Sequence, residues 1–400
     1  MKIHPWLFVL ATLMIAVVMS ISTARGEWTY VNLHPAGVQN SSALFGLADG
    51  QQVGYVGRNE DGAATSAVWS GTAGSFVSLN PPDTFSQAYG VAKGKQVGQL
   101  FFFPEGNGHA VIWSGAANSY VDLQPAGTDS SEARAIRGNQ QVGWVVPVAT
   151  PTLHLEHASL WTGTAASWVD LNPAGAGRSI AYGLDGNQQV GFAAIFGTHN
   201  HASLWTGTAA SWVDLEPAPT LGAFPIVGSV ATAVHRGQQV GTVTYNVFGV
   251  EVDHAGYWNG TAESWVDLNP DTSTIYSASW ANAAFDGYQV GQSTAQFCDV
   301  LACGNASAAF WHGTPESWVD LESFLSANYI GSNAFGVWTD GHTIQVAGAA
   351  YNNTLGRSEA ILWINTVPEP ASFALLGIGL PLVALRRNKR RTFVRPRLPL

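Results

Sequence analysis

The sequence predicts an all-β protein, a seven-bladed β-propeller of four-stranded blades closed by its own N-terminal strand, and three recurring phrases carry that prediction. The triplet Gln-Val-Gly begins at Gln52, Gln96, Gln141, Gln189, Gln239 and Gln289, with a variant at Gln345-Val346-Ala347-Gly348. A tryptophan marks the same units at Trp69, Trp113, Trp161, Trp205, Trp258, Trp311 and Trp363, the first six followed two residues later by glycine. An aromatic-Val-x-Leu phrase begins at Tyr30, Phe76, Tyr120, Trp168, Trp212, Trp265 and Trp318. Repeats at such spacing are the signature of propellers and related arrays, and must be found before single elements are assigned.

Composition agrees. Only 11% of the 400 residues are charged, whereas glycine (44) and tryptophan (16) are abundant, as expected of short strands joined by tight turns. Each unit opens with an Ala-x-Gly-apolar strand such as residues 181–184, continues through a polar turn at 185–187, and returns along 188–192. The tryptophan strand follows, and ten residues separate each of the first six tryptophans from the Leu of the next phrase. A fixed spacing with a glycine inside is what a hairpin needs, because one slip in register would turn every side chain to the wrong face. The tryptophans are read as the core between blades rather than as a sugar platform, because they repeat in every unit.

The seventh unit supplies only three strands, ending at Trp363, before the pattern stops. The orphan copy of the fourth phrase is Tyr30, Val31, Asn32 and Leu33, near the start of the chain. It is expected to complete the seventh blade, because an open array would leave sheet edges exposed.

Both ends carry addresses. Lys2, the apolar run Trp6 to Ile21 and the small residues Ser22 to Ala24 read as a secretory signal over residues 1–26, cleaved after Ala24 or Gly26 in preference to an uncleaved anchor. The repeat domain then covers 27–366. It keeps eight of the 17 Lys and Arg but 26 of the 27 Asp and Glu, a formal charge of about −18 that disfavours nucleic acid and anionic lipid as partners.

Beyond it, Val367, Pro368, Glu369 and Pro370 precede a 15-residue apolar run from Ala371 to Leu385 and a basic cluster beginning Arg386-Arg387. That order over 367–391, with a basic tail at 392–400, resembles the PEP-CTERM sorting signal of Gram-negative bacteria. The resemblance implies recognition by an exosortase, a short membrane helix before processing, cleavage near Pro368 to Pro370, and delivery to the cell surface or matrix. The repeat phrases, in the form His-Ala-x-apolar-Trp-x-Gly followed by apolar-x-Asp-Leu, are similar to the HAF family of bacterial extracellular repeats. That likeness implies an extracellular address and a β-repeat fold, and lends no activity. It departs at Thr65, Ser307 and Glu359, which stand where the family has His.

Candidate chemistry is sparse. Cys298 and Cys303 are expected to form a disulfide, as an exported pair can in an oxidising compartment; free thiols and half a metal site are the alternatives. Asp122, Asp170, Asp214, Asp267 and Asp320 share one position, and His109, His157, His201 and His254 share another. Rings of carboxylates or imidazoles would gather cations, but repetition favours structural hydrogen bonding, so no metal or cofactor is expected. Asp-Gly pairs at Asp49, Asp185, Asp286 and Asp340 match hairpin turns better than calcium loops.

Longer insertions at 146–156, 216–228, 244–253, 295–306 and 322–333, with Phe224, Tyr245, Phe248, Phe297, Phe324 and Tyr329, are the places where binding could break the symmetry. The expected function is a non-enzymatic surface or matrix protein that binds a glycan or protein. A glycan-cleaving propeller enzyme and a calcium-dependent adhesin are the alternatives.

Overall fold

The computed structural model describes residues 27–102, 106–147, 155–195, 199–218, 224–270, 275, 277–294 and 306–366. Residues 28–340 and 344–364 form one compact unit, the propeller.

The propeller holds seven sheets of four strands, six of them continuous in sequence and antiparallel throughout. Blades 1 to 6 lie within residues 42–78, 85–122, 130–170, 176–214, 226–267 and 279–320. Blade 4 shows the plan: Ala176–Asp185 is innermost, then Gln188–Ile195, Asn200–Trp205 and the two-residue outer strand Val213–Asp214. The innermost strands pack in sequence order around the ring, and that of blade 7 packs back on that of blade 1.

Blade 7 is built from both ends of the repeat. Tyr329–Thr339, Thr343–Asn352 and Arg357–Thr366 supply three strands, and Trp28–Asn32 is the fourth, lying beside Arg357–Thr366. Leu33, just beyond it, is fully buried and donates its backbone N–H to the Ala360 carbonyl at 2.8 Å. Asn32 donates to the Glu359 carboxylate at 2.9 Å, which also accepts from Tyr329 Oη at 2.7 Å and from the Arg357 guanidinium at 2.7 Å. Burial opposes ionisation of Glu359, but the Tyr329, Arg357 and Asn352 hydrogen bonds outweigh it and hold the carboxyl below its usual range.

Three repeated devices explain the sequence phrases. All seven tryptophans are 0% exposed. Each is wedged against the preceding blade; Trp205 meets Val142, Leu160 and Leu171 of blade 3. In blades 1 to 6 the Gln of Gln-Val-Gly accepts a hydrogen bond from the backbone N–H of the glycine after the tryptophan, as Gly207 does to Gln189 at 2.7 Å, pinning the hairpin that follows.

The Gly of the same triplet allows backbone contact. A Cβ at Gly191 would stand 1.8 Å from the Ile180 carbonyl oxygen, and the equivalent glycines are as tight. The turn residues also obey local chemistry: Asp49 and Gly50, at φ 51° and 78°, supply the two positive angles of a type I′ hairpin.

A fourth device escaped the phrases altogether. One buried serine near the start of each innermost strand, Ser42, Ser86, Ser131, Ser179, Ser229, Ser279 or Ser332, accepts a backbone N–H from the third strand of the preceding blade at 2.9–3.1 Å. Six of these hydroxyls then donate to the side chain of the residue after the Leu of the aromatic-Val-x-Leu phrase, as Ser179 does to Asn172 at 2.6 Å; Ser42 meets His34 Nδ1 at the seventh. Each clip satisfies a buried N–H that the sheet itself leaves unpaired.

Among the described residues no helix is long and apolar enough to cross a membrane, and the apolar run 371–385 lies outside them. The disulfide expectation at Cys298 and Cys303 also lies outside the described residues.

Candidate functional site

Every innermost strand carries a β-bulge at the middle residue of its Ala-x-Gly segment or the equivalent, where two residues oppose one on the second strand. A bulge re-aims the extra side chain out of the sheet's alternation. The seven re-aimed residues are Phe45, Tyr89, Arg134, Tyr182, Thr232, Asn282 and Phe335, all half-buried, and together they line a cavity of about 920 Å³ enclosed by the seven innermost strands. The bulge is the same in every blade, but the seven residues it presents are of five types.

The lining is divided. Phe335, Phe45 and Tyr89 form a continuous aromatic arc, with ring centroids 5.4 Å and 5.5 Å apart. Arg134 comes next around the wall, its guanidinium 4.4 Å from the Tyr89 ring and 5.6 Å from that of Tyr182. The opposite arc is polar: Thr232 donates to the Ala281 carbonyl at 2.6 Å, and Asn282 donates to Asn333 Oδ1 at 2.9 Å. Four aromatic faces interrupted by one cation, facing a hydroxyl and an amide, suit a ligand with an apolar face and polar edges.

Beneath Arg134 lies Glu132, 4% exposed, which forms an ion pair with the guanidinium and accepts the Trp144 indole N–H at 3.0 Å. Burial pushes the Glu132 carboxyl up, and Arg134 pulls against that rise. Burial, with the Glu132 charge nearby, raises the Tyr89 phenol strongly, and burial raises Tyr182 too, so both stay neutral hydrogen-bonding groups at physiological pH. At one mouth of the cavity His235 Nε2 lies 3.1 Å from Asp286, with the His235 ring stacked on Phe285 at 4.2 Å. Arg137 pairs with Asp185 at 2.8 Å on the same rim.

The repeated polar residues are placed differently. His109, His157, His201 and His254 each bond through Nδ1 to the Asp of the outer strand in their own blade, Asp122, Asp170, Asp214 and Asp267, at 2.7–2.9 Å. The second oxygen of each Asp accepts the backbone N–H two residues on, at 2.7–2.9 Å, the short-range turn bond that Asp favours. The structure thus brings the four histidines and four of the five aspartates together as separate dyads rather than as rings; Asp320, in the blade with Ser307 at the histidine position, accepts the Glu322 backbone N–H at 2.9 Å. Of the four, His201 has two further ligating side chains beside it among the described residues, His199 and Glu216.

The insertions divide between packing and exposure. Residues 244–253 extend a hairpin whose Tyr245 is fully buried in the blade 5 core, and Tyr329 is buried at the closure. Phe248 at that hairpin's tip is 79% exposed and meets Phe224 edge-on at 5.2 Å. Phe297 lies outside the described residues. The channel residues were missed in the sequence because their one shared signal, a variable position flanked by small residues, looks like noise within a degenerate repeat.

Comparison with known proteins adds one address and one fold. Residues 366–391 match the PEP-CTERM protein-sorting motif. Curated protein sequences give no match. Among solved structures, the chain is similar to a puromycin hydrolase S511A mutant complexed with PGG, with TM-score 0.51 at 12% identity, over 83% of this chain and 56% of that one. It also resembles the β-propeller domain of the Trilobed protease from Pyrococcus furiosus (TM-score 0.49, 9% identity, 81% and 93% covered). An oligogalacturonate lyase from Vibrio parahaemolyticus aligns with TM-score 0.48 at 9% identity over 86% and 99% of the two chains. The chain therefore spans just over half the length of the puromycin hydrolase, and the likeness is one of fold.

Proposed function

We propose that this exported, exosortase-sorted propeller is a non-enzymatic surface protein that binds a glycan through its axial channel. The export and sorting follow from the PEP-CTERM motif at 366–391. The binding role rests on the seven bulges, which aim one side chain per blade, of five residue types in all, into a common cavity of about 920 Å³. Aromatic rings at Phe45, Tyr89, Tyr182 and Phe335 offer flat apolar faces of the kind that stack on sugar rings, while Arg134, Thr232 and Asn282 offer polar contacts for hydroxyl or carboxylate groups. A repeat framework that holds variable residues at fixed points is a means of setting specificity without altering the fold.

A glycan-cleaving reading is favoured by a different observation, the unrepeated His235 held against Asp286 at the channel mouth. One experiment separates the two. The purified chain is applied to a glycan array and every bound glycan is then assayed for cleavage. Binding without turnover is the expected result; turnover that is lost in His235→Ala would replace this reading with the enzymatic one, and failure to bind any glycan would remove it.

A further inference from the structure

We propose that blade 4 carries a divalent transition-metal site of the zinc type, formed by His199, His201 and Glu216. These ligand atoms lie within 4.8 Å of one another. His199 Nε2 stands 2.8 Å and 3.0 Å from the two Glu216 oxygens, and His201 Nε2 is 3.9 Å from Glu216 Oε1. The two imidazoles are stacked, centroids 4.9 Å apart and 21° from parallel, so both present Nε2 to the same carboxylate.

Two features distinguish this from an ordinary ion pair. Asp214 holds His201 Nδ1 at 2.8 Å, which leaves Nε2 as the lone-pair nitrogen. That Nε2 is buried and has no hydrogen-bond partner, an orphaned acceptor of the kind native structures avoid unless a ligand completes it. The carboxylate–histidine arrangement is also how proteins orient metal-binding imidazoles. Glu216 is fixed in turn by the Ser229 hydroxyl at 3.1 Å.

Comparison among blades supplies the second argument. At the Glu216 position, blades 2, 3 and 5 use the neutral amides Gln124, Asn172 and Asn269, which accept the same serine hydroxyl. The blade-to-blade clip therefore needs an acceptor and no charge. Two residues before each dyad histidine, those blades have Asn107, Leu155 and Val252 where blade 4 has His199. Blade 6 also has a carboxylate at this position, Glu322, but carries Ser307 in place of the dyad histidine, so added carboxylate, added imidazole and His–Asp dyad coincide in blade 4.

Two imidazoles and a carboxylate suit zinc and its neighbours and leave a fourth position for water or a ligand group. Tetrahedral zinc with bonds near 2.0–2.1 Å places its ligand atoms about 3.3 Å apart, so on loading the 2.8 Å His199–Glu216 contact lengthens and the 3.9 Å His201–Glu216 separation shortens. His201 pairs with Ala193 near the end of the second strand, away from the 186–187 turn that faces the channel mouth, so the site is separate from the channel rim. It departs from the expectation, drawn from sequence, that no metal is bound.

The test is a titration of the purified full chain with zinc against a chromophoric chelator, with cobalt as a spectroscopic substitute. One equivalent is expected to bind, with a cobalt spectrum of low coordination number. His199→Ala and Glu216→Gln should each weaken binding at least tenfold, Asp214→Asn about tenfold by loss of orientation, and His254→Ala in blade 5 not at all. Glu216→Gln retains an acceptor for Ser229, so its Tm in chelator should equal that of the unaltered chain, while its zinc-dependent rise in Tm disappears. Absence of any zinc binding, or one equivalent bound with undiminished affinity in both His199→Ala and Glu216→Gln, would overturn the proposal.

Discussion

The contacts between blades and the wall of the channel are built on opposite rules. Between blades the same residue does the same job at each turn of the ring: a buried tryptophan against the preceding blade, and a serine accepting its neighbour's backbone N–H. Along the channel the backbone device, the bulge, is repeated, but the side chain differs at nearly every blade, from Phe45 through Arg134 to Asn282. The difference teaches where selection for stability and freedom for function lie in this molecule. Repetition marks what closes the ring, and variation at a fixed bulge marks what the ring can present to a ligand.

Removing residues 28–33 is the largest break of the first kind. It deletes the outer strand of blade 7 and Leu33, and leaves the Glu359 carboxylate without Asn32. An open sheet edge replaces a closed seam. The expected outcome is a ring that no longer melts as one cooperative unit, read as a lost or strongly lowered transition by calorimetry; an unchanged transition would show that the seam does not hold the ring.

Trp205→Ala is the next test, because it empties a 0%-exposed site between blades 3 and 4. Large-to-small changes of this kind cost about 3–5 kcal/mol, which chemical denaturation should resolve. The equivalent change at Trp113 or Trp161 should cost nearly the same, since each tryptophan occupies the same environment. Unequal costs would mean that the repeat is structural in sequence only.

Tyr182→Ala sharpens the comparison from the other side. Its ring is half-buried against the channel and beside Arg134, so its loss should lower stability by about 1 kcal/mol or less while abolishing glycan retention by the chain. A stability loss as large as that of Trp205→Ala would place Tyr182 among the framework residues instead.

Much of this architecture was legible because it is local. The Gln-Val-Gly phrase, the ten-residue spacing from tryptophan to leucine and the orphan Tyr30 to Leu33 strand together predicted blade number, strand number and the permuted seventh blade. The physical reason for the phrases is tertiary: Gln189 pins Gly207, and a side chain at Gly191 would collide with Ile180. The serine clips were illegible for the opposite reason, since a lone serine in a degenerate strand has no pattern until its partner in the adjacent blade is known.

The sequence by itself determined the repeat, the closure and the sorting address, because each is written in neighbouring residues whose spacing sets register. Only the tertiary structure decided what converges. The bulges turn Phe45, Tyr89, Arg134, Tyr182, Thr232, Asn282 and Phe335 from seven distant strands into one wall, and pairing across blade 4 sets His199 and His201 against Glu216. Convergence depends on the ring's curvature and on strand pairing, which no local spacing encodes.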